Sequence, residues 1–276
     1  MDTTLRYESS NGEVLRFAAD QPFHYGDTTL HDYQHDYTAL GGKIVGFSHG
    51  IREFDLNIIV TGADEGERDR IIEALEYDVQ TMQPGRLYSG DYYIRCYCTE
   101  SSKDMWWFDD GHMHAKLKFV SDEGVWVREE YKLFKLGEVG GTGIDYAHDW
   151  GFDYVSNVMI QDITNTNFVA APFKLNVFGP VADPISIKIG EYTYAVNTTL
   201  AENEVLTIDG RMKSITKRAA DGTETSLFAA RVGDQRLGSG YYVFQPVESG
   251  YNFVSWSATY SFDLTLYDER SEPRWS

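Results

Sequence analysis

The chain has 276 residues, 42% of them hydrophobic and 14% aromatic. That is apolar material for a sizeable core and, at roughly 100–200 residues per domain, length for two domains; it excludes a disordered chain. The net charge of −19 and pI near 4.6 disfavour nucleic-acid binding, because a phosphate backbone recruits Lys and Arg.

The N-terminus, Met1-Asp2-Thr3-Thr4-Leu5-Arg6, lacks the basic and apolar stretches of a signal peptide. No apolar run approaches the roughly 18 residues of a membrane span. The expectation is a chain made and folded in a cytoplasm, with no membrane partner. Leu56, Ile58 and Val60 alternate with Asp55, Asn57, Ile59 and Thr61, which predicts a strand with one buried face. From Asp64 to Met82 the period changes. Ile71, Ile72, Leu75, Val79 and Met82 fall on one helical stripe, Asp64 and Glu67 resemble a capping box, and Pro84-Gly85 closes the segment. Glu67, Asp69, Glu73 and Glu76 read as its solvated face.

Cys96 and Cys98 share a face if their segment is a strand, about 6.6 Å apart with parallel side chains. That geometry argues against a disulfide, and they read as small buried hydrophobes. Gly137-Glu138-Val139-Gly140-Gly141-Thr142-Gly143 reads as a flexible connector and divides the chain into domains at residues 1–137 and 138–276. In the second half, Ile185, Ile187 and Ile189 alternate with polar residues, as do Phe262, Leu264 and Leu266. Asp209-Gly210 and Asp221-Gly222 mark hairpin turns that need positive φ. Strands at this spacing suggest sandwiches or barrels. The fold class is therefore mainly β with one amphipathic helix.

Candidate chemistry is sparse. His31 and His35 would share a helical face and His112 and His114 a strand face, but neither pair has an obvious third metal ligand. Asp109-Asp110 and Glu129-Glu130 are the paired carboxylates a glycoside hydrolase would use, yet 43 acidic residues make such pairs common, and Asp109-Asp110-Gly111 reads as a turn. There is no phosphate-binding glycine loop and no Gly-x-Ser-x-Gly elbow. The reading is no catalytic residue, no metal ligand and no cofactor. Trp106 and Trp107, in Trp106-Trp107-Phe108, point to opposite strand faces, which makes them the candidate interface residues.

Four stretches carry a resemblance. They are Glu76-Tyr77-Asp78-Val79 with Pro84-Gly85-Arg86-Leu87-Tyr88 and Tyr92 to Tyr97; Trp106-Trp107 leading to Leu117 to Asp122 and Trp126-Val127-Arg128-Glu129; Phe173 to Pro180 with Asp183-Pro184; and Gly250 to Val254 followed by Tyr267 to Trp275. In order and spacing the chain resembles the distal tail protein (Dit) family of long non-contractile-tailed phages (siphophages). The resemblance implies an N-terminal β-sandwich with the helix, assembling as a six-membered ring around the tail channel, and a C-terminal galectin-like β-sandwich outside it. It implies partners as well: further copies of the chain, the tail tube protein, the tail-associated tip protein and, in some relatives, receptor-binding proteins. The location would be the virion tail tip, a baseplate component assembled in the host cytoplasm, with DNA passing through the channel unbound. The sugar-binding set of true galectins is missing around Trp256-Ser257-Ala258-Thr259, so the galectin-like half would be a scaffold. The competing reading is a glycan- or cell-wall-binding β-sandwich module.

Overall fold

A computed structural model describes residues 5–18, 23–61, 65–107, 112–136 and 158–273. The described chain is mainly β, with one long helix. It forms two compact units: residues 1–128 with 269–276, and residues 129–268. The Gly137–Gly143 connector lies outside the described residues.

Unit 1 contains, in chain order, β1 (Leu5–Glu8), β2 (Val14–Phe17), β3 (Phe23–Thr28), β4 (Asp36–Leu40), β5 (Lys43–Ser48), β6 (Arg52–Thr61), α1 (Glu65–Thr81), β7 (Gly85–Ser89), β8 (Tyr92–Trp107), β9 (His112–Ser121) and the start of β10 (Trp126–Phe134). β8 is long enough to serve two sheets. Its first part pairs with β7, and β7 continues to β1 and β2. Its later part pairs with β9, and β9 continues to β6 and β3. The period-two expectation for β6 is met: Phe54, Leu56, Ile58 and Val60 are buried. They join Tyr7, Leu15, Phe17, Leu87, Ile94, Leu117, Phe119 and Trp126 in one core.

The helix runs over Glu65–Thr81, but its buried stripe is Ile71, Ala74, Leu75 and Asp78, whereas Ile72, Val79 and Met82 are exposed. The stripe is rotated because Asp78, a residue no hydrophobic count selects, is the helix's deepest polar anchor. Its carboxylate accepts from Tyr7 Oη at 2.5 Å, Ser9 Oγ at 2.8 Å, Ser10 N at 2.7 Å and Ser10 Oγ at 2.6 Å. Ser9 and Ser10 lie in the β1–β2 turn, so the cluster fastens α1 to that hairpin. Burial, with Cys96 and Asp78 nearby, pushes the Tyr7 phenol well above its usual range, so Tyr7 stays a donor. Gly85 completes the site: a Cβ there would overlap Tyr7 Oη and stand 2.5 Å from Asp78 Oδ2. Asp64, the expected helix cap, lies outside the described residues.

Unit 2 contains the rest of β10, then β11 (Val158–Asn165), β12 (Phe173–Phe178), β13 (Ile185–Ile189), β14 (Tyr192–Val196), β15 (Val205–Asp209), β16 (Ser214–Arg218), β17 (Glu224–Ser226), β18 (Gly250–Ser257) and most of β19 (Ser261–Arg270). One sheet orders β11-β18-β13-β14; another run orders β17-β16-β15-β12-β19. Ile185, Ile187 and Ile189 share a core with Leu175, Val177, Leu206, Ile208, Trp256, Phe262, Leu264 and Leu266. Large aromatics bury their bodies while their polar ends stay bonded: Tyr194 Oη donates to Gln245 O at 2.7 Å and Trp256 Nε1 to Tyr260 O at 3.0 Å. β19 departs from the one-face expectation, since Asp263 and Thr265 are buried too. Asp263 accepts from Asn176 Nδ2 at 2.8 Å, and burial raises its carboxyl above the usual range.

The two Asp-Gly turns behave differently. Gly222 has φ +87°, as expected. Gly210 needs no positive φ: the hairpin closes at Asp209↔Ser214, and Asp209 Oδ1 caps the loop by accepting from Arg211 N at 2.9 Å and Met212 N at 2.8 Å. Glycine is required there because a Cβ would meet Phe173 Cε1 at 2.9 Å.

Candidate functional site

Among the described residues, the chemistry-bearing side chains do not assemble into a reactive site. His31 and His35 sit in the turn and loop before β4, not in a helix. Glu129 and Glu130 are adjacent on β10, so they point to opposite faces, and Glu130 Oε1 accepts from Thr166 Oγ1 at 2.8 Å. Both cysteines are free thiols. Burial pushes Cys96 well above its usual range and Cys98 up to about 12, which removes the thiolate that a nucleophile or metal ligand needs. Asp109-Asp110 and the side chain of His112 lie outside the described residues. Among the described residues no group of three His, Cys, Asp or Glu side chains could hold a metal ion, and no helix is long and apolar enough to cross a membrane.

What unit 1 offers instead is a surface. β4 and β5 form a two-stranded sheet of their own in which every residue is exposed. Leu40 and Lys43 are joined by Gly41-Gly42, with φ +59° and +78°, the two-residue turn whose twist suits a hairpin. Tyr37 pairs across with Phe47 and Ala39 with Ile44. Tyr37 is 65% exposed, Phe47 69% and Leu40 74%. Tyr37 and Leu40, three residues apart, stand on opposite faces, so both faces carry apolar side chains. An isolated two-stranded hairpin is marginal in water, and contiguous apolar exposure marks a contact site. Sequence reasoning missed this element, although Gly41-Gly42 between two β-prone runs was the available signal.

The hairpin is anchored at its neck. His35 and His49 occupy the positions just below the Asp36↔Ser48 pair, and their ring centroids are 4.6 Å apart. Arg52, at the start of β6, donates from Nη1 to Ser271 O at 2.7 Å and from Nη2 to Leu30 O at 2.7 Å and to Asp32 O. One guanidinium therefore ties the loop ahead of the hairpin to the C-terminal segment of unit 1.

Trp106 and Trp107 lie at the end of β8, where Trp106 pairs with Met113 and Trp107 with His112; their side chains lie outside the described residues. In unit 2, Trp256 is a core residue and offers no face to a sugar. Among the exposed aromatics of unit 2 are Tyr251 and Phe253 on β18, with ring centroids 5.0 Å apart and edge-to-face.

No family model matches the sequence, and no curated protein does. Solved structures do match. The crystal structure of the SPP1 Dit protein, gp 19.1, aligns over 97% of this chain and 98% of its own at a TM-score of 0.54 and 12% identity. The chain has the fold of SPP1 Dit. A chain of the phage P2 baseplate in its activated conformation with Ca shares this Dit-like fold over 99% of this protein and 100% of its own length, at a TM-score of 0.58 and 11% identity. The same baseplate with Sr gives a TM-score of 0.57 at 10% identity over 98% and 99%. Both units are included in each likeness, so the Dit fold accounts for nearly the whole chain.

Proposed function

We propose that the protein is a structural hub of a phage tail tip and not an enzyme. The observation that carries this reading is the end-to-end likeness to SPP1 Dit, described as a paradigm of the hub adsorption apparatus in phages infecting Gram-positive bacteria, and to a phage P2 baseplate chain. In this reading the N-terminal half, a β-sandwich with α1, builds a ring of six copies, and the galectin-like C-terminal half lies outside it. The ring joins the tail tube to the tip protein and the adsorption apparatus. The exposed β4–β5 hairpin supplies apolar contact between copies. A heterologous contact of this kind closes into a ring when its rotation permits.

The test is a pair of serines in place of the cross-strand aromatics, Tyr37→Ser and Phe47→Ser. The expected outcome is loss of self-association in sedimentation with an unchanged melting transition, because neither side chain belongs to the unit 1 core. Unchanged association would remove the hairpin from the interface.

The exposed Tyr251 and Phe253 favour a second reading, a glycan-binding module. A chain that stays single and loses polysaccharide affinity on Tyr251→Ala would support it over the hub.

A further inference from the structure

The neck of the β4–β5 hairpin is a cluster of titratable groups at the base of the two strands. The His35 and His49 rings lie 4.6 Å apart, tilted at 56° to each other. The rings of Tyr33 and Phe47 lie 5.4 and 6.3 Å from His35, and His35 Nε2 is 3.2 Å from Ser271 Oγ. The other elements around the neck contribute the remaining charges. The loop ahead brings Asp32 and His31, the latter 3.9 Å from Glu272. Asp36 lies against Gly50, where a Cβ would overlap its carboxylate. β6 brings Arg52 and Glu53, and the turn after β9 brings the uncharged Gly124 beside His49. The C-terminal segment brings Glu269 and Glu272, which face His49 and Arg52 respectively.

We propose that His35 and His49 form an acid-opened latch that holds the β4–β5 hairpin and the Ser271 segment closed at neutral pH and releases the hairpin when both rings are protonated. Two neutral imidazoles tolerate this spacing. Two imidazolium rings repel each other, and Arg52 adds a third positive charge. Glu269 opposes the effect, but burial, His35 and Arg52 together hold His49 below its ordinary value of 6.5. The sign follows from linkage. The open neck binds protons more tightly than the closed one, so closure is favoured above about 6.5 and weakens as the pH falls below it. The latch stands whether or not the hub reading does, because its parts all lie in unit 1.

Hydrogen exchange of the full-length protein tests it at pH 7.5 and 5.0, corrected for intrinsic exchange and referred to the core amides of β6 and β9. The expected result is a fall on the order of tenfold in protection of the Asp36–Ser48 amides at pH 5.0, because the open neck binds protons more tightly than the closed one. The His35→Gln/His49→Gln double variant should show no such fall. Protection that is equal at the two pH values in the wild type, or an equal fall in the double variant, overturns the proposal. Should the variant not fold, the wild-type ring titration decides by NMR: a His49 midpoint below 6.5 supports the latch, and one at or above 6.5 contradicts it.

Discussion

Asp78 is the residue on which the seating of α1 turns. It is fully buried, and four donor contacts from Tyr7, Ser9 and Ser10 converge on it. Asp78→Ala leaves those donors without their acceptor. Unsatisfied buried groups cost about 1–3 kcal/mol each, partly relieved by relaxation, so the expected loss is roughly 3 kcal/mol. A clear drop in the urea midpoint checks this. An unchanged midpoint would mean that the cluster contributes nothing to holding the helix. Nothing in the local pattern announces this role, since Tyr77-Asp78-Val79 reads as one more polar position on an amphipathic helix. The partners lie 68 to 71 residues away, and no period of 3.6 or 2 reports a contact at that separation. Gly85 is similar: Pro84-Gly85 was legible as a helix stop, but the reason for glycine is the space that Tyr7 and Asp78 occupy.

At the scale of elements, period-two alternation located β6, β13 and β19 because their inward residues are apolar, and the helix was visible through its change of period. The β4–β5 hairpin escaped the same reasoning. Alternation presumes one wet and one dry face, and this hairpin has apolar side chains on both and buries neither. The ends of the units were also hidden. The glycine-rich segment suggested where one domain gives way to the next; by contact, the chain passes between units within β10 and again within β19, returning residues 269–276 to unit 1. A chain ending at Asp268 therefore loses the Ser271 carbonyl that Arg52 holds. A hydrogen bond from a charged donor contributes about 1.5–3 kcal/mol, so faster hydrogen exchange at the start of β6, with unit 2 unaffected, is the expected result. Equal protection with and without the tail would show that unit 1 does not use its C-terminal segment.

For the whole molecule, charge and assembly are linked. Six copies at −19 each would carry a formal −114. Acid on the inner wall of such a ring would repel DNA over about one Debye length, roughly 8 Å at physiological salt, whereas acid on the rim alone would serve solubility. Either role presupposes that the ring exists. The most direct measurement is therefore the native mass of the purified full-length protein, at rising concentration. The hub account expects a closed species of six chains of 31.4 kDa, about 188 kDa. A single 31.4 kDa chain at every concentration would contradict it.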